Sequence, residues 1–320
     1  MARPISNSGF RNWTPDRLPD LAGTRHLVTG GNAGLGYEAS RLLAAENADV
    51  VIASRNEERT KRAVAELGKL GSGKIEWVTL DLSTLDSVRR AADDIGKRYD
   101  QLDAIVNNAG VMQTPETRTA DGFELQLATN HLGHFLLNGL LFDLVEKAGG
   151  RIVAVSSIVH RRGRIHLDDL MLSDNYSPTR AYGQSKLANL IYALELDRRL
   201  KAAGSKVTAI ACHPGYAATD LQRTGPRGFF NLLYRVTNPL FAQSAAAGAV
   251  PLALAAAGKE AKAGAYYGPT SRGDSGGPVG DSSVADAALD RDVAARLWEA
   301  SEKLVGFDWG SVLGKAQAGT

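Results

Sequence analysis

Apolar positions in this chain fall into short consecutive runs, separated by longer stretches in which they recur every three or four residues. The runs lie at 26–29, 50–53, 75–80, 104–106, 151–155 and 207–211. A strand that is apolar at successive positions, rather than alternate ones, is covered on both faces. The intervening stretches 36–46, 57–69, 85–98, 123–147 and 181–203 carry helical spacing, and starts such as Ser83 read as caps. Strand and helix therefore alternate. That order predicts an α/β fold, a doubly wound parallel sheet with helices on both faces.

No repeat longer than these units appears, and no linker divides the chain. A single domain over 24–310 is expected, preceded by a polar arm at 1–23 that contains Pro4, Pro15 and Pro19. Residues 216–285 are rich in Gly, Pro and aromatics and read as loops and short helices over one sheet edge. They would form a substrate lid that includes Tyr216, Phe229, Phe230, Tyr234 and Phe241. The Ala-rich run 244–258 is too short to cross a bilayer and is broken by Gly248 and Pro251, so a buried helix is expected. The first residues lack the apolar core of a signal peptide. A soluble, cytoplasmic protein without a membrane anchor is the expectation.

Composition narrows the classes. Hydrophobic residues make up 44% and charged residues 22%, which suits a substantial core and argues against disorder. A net charge of +2 gives no sign of a nucleic-acid partner. The one cysteine, Cys212, excludes an intramolecular disulfide and fits a reducing compartment.

The first strand runs directly into Thr29-Gly30-Gly31-Asn32-Ala33-Gly34-Leu35-Gly36, after which a helix begins. Gly30 permits a tight turn, Gly34 lets backbone approach a pyrophosphate, and Gly36 lets the helix pack on the sheet. Backbone N–H groups at the helix start would then face phosphate. Strand before and helix after are the context that a dinucleotide-binding turn requires.

The spacing Thr-Gly-x-x-x-Gly-x-Gly resembles the short-chain dehydrogenase/reductase family. Further motifs carry the resemblance across roughly residues 24–270: Asp81-Leu82, Asn107-Asn108-Ala109-Gly110, Asn130, Ser156-Ser157, Tyr182-Gly183-Gln184-Ser185-Lys186, Pro214-Gly215 and Thr219. The wording of Arg164-Ile165-His166, Ser185-Lys186-Leu187-Ala188-Asn189 and His213-Pro214-Gly215 is similar to its retinol-dehydrogenase-like branch. The resemblance implies a Rossmann-type fold. It also implies a cofactor-binding set of Gly30, Asn32, Gly34, Leu35, Gly36, Ser54, Arg55, Asp81, Leu82, Asn108, Ala109, Gly110, Tyr182, Lys186, Pro214, Gly215 and Thr219. Relatives often assemble through their two long helices, so a homo-oligomer is a further expectation.

Tyr182 and Lys186 are four residues apart and so share a helix face. A free phenol, with a pKa near 10, is a poor base at neutral pH, and a nearby ammonium favours the phenolate. Lowering that pKa by about 3 units takes roughly 4 kcal/mol. The family pattern makes Tyr182 the proton donor or acceptor, Lys186 its tuner and the grip on the nicotinamide ribose, and Ser157 the hydrogen-bond donor to the substrate oxygen. Ser156 would be a strand residue near the cofactor, and Asn130 would kink its helix and support a proton relay. The segment His160-Arg161-Arg162-Gly163-Arg164 reads first as a solvated basic loop and second as a contact for an acidic substrate. His131, His134 and His213 read as structural.

The second strand ends Ala53-Ser54-Arg55. NAD-preferring relatives place an acid near Ser54 for the ribose hydroxyls. A serine there removes repulsion of a 2′-phosphate, and Arg55 can pair with it, so NADP is expected ahead of NAD. The expected activity is hydride transfer between that cofactor and a carbonyl/alcohol pair on a small, lipophilic molecule, without a metal. A non-catalytic NADP-binding regulator or scaffold on the same fold is the alternative. Gly273-Asp274-Ser275-Gly276-Gly277-Pro278 matches the nucleophile signature of trypsin-like proteases letter for letter. The alternating strands and helices and the lack of disulfides reject that reading.

Overall fold

The computed structural model describes residues 2–216 and 244–318. After a two-residue strand β1 (Arg3–Pro4), the chain alternates β2 (Arg25–Thr29), α1 (Gly34–Ala45), β3 (Asp49–Ser54), α2 (Glu57–Leu67), β4 (Ile75–Thr79), α3 (Leu85–Arg98) and β5 (Ala104–Asn107). Three helical pieces follow: α4 (Leu125–Leu127), α5 (Gly133–Leu140) and α6 (Phe142–Ala148). Then come β6 (Arg151–Val155), α7 (Pro178–Ala202), β7 (Thr208–Cys212), α8 (Ala245–Ala257), β8 (Tyr266–Ser271), β9 (Gly276–Asp281), β10 (Ser283–Val284), α9 (Arg291–Val305) and α10 (Gly310–Ala318).

The main sheet has eight strands in the order β4-β3-β2-β5-β6-β7-β8-β9. All pair in parallel except β9, which runs antiparallel to β8. The chain winds outward from β2 to β4, returns to β5 beside β2, and winds outward the other way. The crevice where these two directions part lies at the C-terminal ends of β2 and β5, the usual ligand position in an open parallel sheet. Side chains alternate across the sheet. Leu27, Val51, Ile105, Ile152 and Ala209 enter one core, with Val88 of α3, Leu136 of α5, Leu190 of α7 and Trp298 of α9. Val28, Ile52, Val106, Val153 and Ile210 enter the other, with Leu43 of α1, Leu67 of α2 and Leu252 of α8. Burial on both faces explains the consecutive apolar runs.

Three stretches differ from the pattern-based expectation. The helix expected over 123–147 is interrupted by a π-turn at Ala128–Leu132 and by Leu141. A π-turn inserts an extra residue into a helix and often marks a functional position. Residues 266–271 and 276–281, expected as loops, are strands that extend the sheet. Their Gly-Pro composition has low strand propensity; Pro278 lies on the edge strand β9, and Pro269 lies beyond the two β8 residues, Tyr266 and Tyr267, that pair with β7. The first 23 residues are sewn onto that edge. β1 pairs with β10, and Trp13, 1% exposed, bridges Val279 and donates to Glu260 at 3.0 Å. The 244–258 run forms the buried helix α8, as expected.

Candidate active site

The glycine turn after β2 has a shape that side chains would not fit. Gly30 holds a left-handed φ of +66°. A Cβ on Gly36 would stand 2.4 Å from both the Gly30 carbonyl oxygen and Asn108 Nδ2. Thr29 ties this turn to the segment after β5: its hydroxyl oxygen accepts from the Asn108 and Ala109 amides, each at 3.0 Å. Asn108 Nδ2 donates to the Thr29 carbonyl at 2.8 Å. His134 completes the junction. Its Nδ1 is 3.0 Å from the Asn130 carbonyl, which can only accept, so Nδ1 carries the proton. Nε2 then accepts the Thr29 hydroxyl at 2.9 Å. Burial pushes His134 down to about 4, so it is neutral. Ala33 precedes α1 without a side-chain cap, and the first turn has no acidic residue. Such a helix start suits an anion, and the glycine cradle leaves room for one, so these residues fit the pyrophosphate of a dinucleotide.

Tyr182, Lys186, Ser157 and Asn130 gather where β5, β6 and α7 meet. The end of β6, the π-turn and one face of α7 bring them together from three separate stretches. The Lys186 ammonium donates to the Val155 carbonyl at 3.0 Å and lies 5.9 Å from the centre of the Tyr182 ring. Burial pushes its pKa down to about 8. Asn189 donates to the same carbonyl at 3.1 Å. The Asn130 side chain is fully committed to shape: Val111 N donates to its Oδ1 at 2.8 Å, and its Nδ2 donates to Val111 O at 3.0 Å and to Ser185 Oγ at 2.9 Å. The two neighbouring serines separate clearly. Ser156 spends its hydroxyl on the Lys186 carbonyl at 2.7 Å. Ser157 caps the short helical turn Ile158–Arg162, accepting from Val159 N at 3.3 Å. Gly110 joins the group, since a Cβ there would be 2.8 Å from Asn130 Oδ1 and 3.7 Å from Lys186 Nζ.

The remaining described cofactor candidates lie at the ends of β3, β4 and β7 and in the turn after β2. Ser54 ends β3 nearly buried, and Arg55 follows exposed. Asn32 reaches across to Thr60 of α2 at 3.2 Å, so the turn holding Gly34 and Leu35 borders the Ser54–Arg55 corner. Asp81 accepts from the Ser83 amide and hydroxyl, at 2.9 and 2.6 Å, and the Leu82 carbonyl packs against Gly133. Pro214 and Gly215 follow β7, with Gly215 at a φ of +70°. Thr219, Phe229, Phe230, Tyr234 and Phe241 lie outside the described residues, whereas Tyr216 is described. In the basic segment, His160 is buried and Arg161, partly exposed, is tied to Asp274; Arg162 and Arg164 are exposed.

The protease-like hexapeptide spans the turn after β8 and the first three residues of β9. A histidine, a serine and an aspartate do meet beside it, in the wrong order for hydrolysis. His213 Nδ1 accepts from the Gly215 amide at 3.1 Å, so Nε2 carries the proton and faces Ser282 Oγ at 2.7 Å. A base must accept from the serine, and here the histidine donates to it. Ser275 itself donates to the Arg272 carbonyl at 2.7 Å. Residues that motif reading left unassigned, Thr29, Asn189 and Asp274, reveal themselves only through these contacts.

A Rossmann-type sheet with a glycine turn at its switch point and a Tyr–Lys pair beside it defines a class, the dinucleotide-dependent oxidoreductases. The family model described as short chain dehydrogenase matches residues 25–227, and the chain belongs to that family. It is an NAD(P)-dependent oxidoreductase of the retinol-dehydrogenase-like branch. Polyprenol dehydrogenase of Danio rerio is 41% identical over 244 residues, 72% of this chain and 74% of that one. Retinol dehydrogenase 12 of Homo sapiens is 37% identical over 294 residues, 90% of this chain and 88% of that one. The crystal structure of an uncharacterized protein from Mycobacterium paratuberculosis has a TM-score of 0.77 at 38% identity, covering 93% of this chain and 99% of that one. Among the described residues, no helix is long and apolar enough to cross a membrane.

Proposed function

We propose that the protein moves a hydride between NADP and the carbonyl or alcohol carbon of a lipophilic small molecule. Hydride donation or acceptance is the chemistry that the nicotinamide supplies when bound. The chain handles the proton and the charge. Tyr182 gives its phenolic proton to the carbonyl oxygen, or takes one from the alcohol in the reverse direction. Ser157 donates a hydrogen bond to that oxygen and holds it near Tyr182. The Lys186 ammonium favours the phenolate that Tyr182 becomes. Asn130 holds the Val111 backbone and Ser185 rigid beneath these groups. Arg55 pairs with a 2′-phosphate beside Ser54, where no carboxylate repels it.

The observation that carries this reading is the buried Lys186 ammonium, 5.9 Å from the Tyr182 ring on the rim that holds the glycine turn. The lipophilic substrate is supported by relatives named for retinol and polyprenol. The same proposal puts the enzyme in the cytoplasm, supported by a sequence whose single cysteine, Cys212, leaves the fold independent of any intramolecular disulfide.

The test is oxidation of NADPH and of NADH by purified protein across aldehydes, ketones and quinones, with Tyr182→Phe and Arg55→Ala beside the parent chain. Turnover with NADPH is expected, lost in Tyr182→Phe and less selective for NADPH in Arg55→Ala. Tight NADPH binding without turnover of any substrate would instead favour a regulator or scaffold, and failure to bind either dinucleotide would remove the proposal.

A further inference from the structure

The β8–β9 turn has no part in the proton chemistry, yet it delivers a buried carboxylate into the molecule. Asp274 is 8% exposed and sits in the left-handed region at φ +66°, as do its neighbours Arg272 and Gly273. Asp274 Oδ2 accepts from Ser282 Oγ at 3.0 Å and from the Ser283 amide at 3.1 Å, and it meets the Arg161 guanidinium. Arg161 also donates to the Gly273 carbonyl at 3.2 Å. Burial raises the Asp274 pKa, but the Ser283 and Ser282 hydrogen bonds and the Arg161 charge outweigh it and hold the group below its usual value.

Two partners of Asp274, Arg161 and Ser282, lead to different sides of the active site. Arg161 belongs to the short turn Ile158–Arg162 that Ser157 caps. Ser282 receives the proton of His213 Nε2 at 2.7 Å, while His213 Nδ1 accepts from the Gly215 amide at 3.1 Å. The direction of every bond in this chain is fixed: Gly215 amide to His213, His213 to Ser282, Ser282 to Asp274. Burial pushes His213 down to about 3, so it stays neutral and its tautomer does not change near neutral pH. A second link runs parallel. His160 Nδ1 donates to the Ser157 carbonyl at 2.7 Å, and its Nε2 accepts from the Ala285 amide at 3.2 Å.

We propose that Asp274 is a positioning residue for the reaction, fixing the Ser157 turn, through Arg161, relative to the Pro214–Gly215 loop, through Ser282 and His213. The proposal rests on the reading that Ser157 meets the substrate oxygen and that Gly215 borders the nicotinamide. Its physical basis is that hydride transfer is steep in distance. The hydroxyl that holds the substrate oxygen and the loop beside the cofactor come from different strands, β6 and β7. A buried, charged hub with directional bonds to both restrains their separation more tightly than apolar packing, which lacks direction.

The experiment uses the full chain, NADPH and decanal as the probe. Asp274→Asn keeps the shape and an acceptor oxygen but removes the charge. Arg161→Gln removes its partner, and Ser282→Ala cuts only the branch to His213. In folded protein, checked by circular dichroism, kcat should fall on the order of tenfold in Asp274→Asn and Arg161→Gln, since small misplacements are costly to rate. The double variant should be no worse than either single one, because the two act as one unit. Asp274→Glu should restore part of the loss. Ser282→Ala should weaken NADPH binding, read by fluorescence, by about threefold or more, because His213, which holds the Gly215 amide, loses its own tether. Values of kcat within about twofold of the parent in both charge variants, or losses that simply add, would overturn the proposal. If decanal is not turned over, unchanged NADPH affinity in Ser282→Ala overturns it and a weakened one supports it. Failure of the underlying reading looks different: turnover surviving in Tyr182→Phe, or no NADPH binding by the parent chain.

Discussion

Lys186 offers a direct contest between stability and chemistry. Its ammonium is 4% exposed and buried at the foot of β6, where burial lowers its pKa from 10.5 to about 8. That displacement corresponds to about 3 kcal/mol by which the folded chain prefers the uncharged amine. Lys186→Met removes the charge and keeps an unbranched chain of similar length in the same space. The Val155 carbonyl is not orphaned, because Asn189 still donates to it at 3.1 Å. The lost charged hydrogen bond offsets part of the gain, which leaves about 1–3 kcal/mol of added stability near pH 7. For a chain of this size that raises the midpoint of thermal unfolding by about 1.5–4.5 °C. The pH dependence follows from the sign of the displacement. The folded value lies below the unfolded one, so between about pH 8 and pH 10.4 the unfolded chain holds the extra proton, and parent stability climbs with pH there. Below about pH 8 both states are charged and the full burial cost applies. The variant has no such climb, so its advantage should be complete near pH 7 and should shrink by about pH 9.5. Thermal unfolding of the dinucleotide-free protein at those two values measures it, and carbonyl reduction by the variant should be abolished. A variant that unfolds below the parent near pH 7, or an advantage that persists unchanged at about pH 9.5, would refute the burial argument.

Two further outcomes test the frame around the site. Gly36→Ala places a Cβ 2.4 Å from the Gly30 carbonyl oxygen and Asn108 Nδ2, so α1 must shift away from the turn. NADPH affinity, measured by fluorescence titration, should fall about tenfold or more, in line with an overpacking cost of about 1–3 kcal/mol, and unchanged affinity would show that the cradle tolerates the side chain. Trp13→Ala empties the 1%-exposed anchor that bridges Val279 and bonds Glu260. Denaturant unfolding should show a loss of about 3–5 kcal/mol, and a negligible loss would make residues 1–23 an accessory arm.

The amino-acid order alone determined the alternation of strand and helix, because each two-sided strand must be apolar at consecutive positions. It also determined the glycine turn and the spacing of Tyr182 and Lys186, which are local features of one turn and one helix face. Other features were not legible, since they arise between segments distant in sequence. The strand character of 266–271 and 276–281 comes from pairing Tyr267 with Asp281 at the sheet edge, against the propensity of Gly and Pro. The family resemblance implies a kink at Asn130 and periodicity does not; the π-turn that forms it and the Asn130 bonds to Val111 and Ser185 appear only in the fold. The histidines could be read only as structural until their partners were seen. His134 and His213 take definite tautomers from the Asn130 carbonyl one turn earlier and the Gly215 amide two residues on, but the hydroxyls they then meet, Thr29 and Ser282, lie on distant segments that no spacing rule places beside them. The hexapeptide 273–278 illustrates the same limit, since its letters match a protease and its contacts form a tether. Local sequence determines which groups are available, because conformation within a few residues follows from their own sterics and polarity. Which groups meet, with what burial and in which direction each proton points, was decided only when the sheet closed the distance between β2, β5, β6, β7 and the C-terminal hairpin.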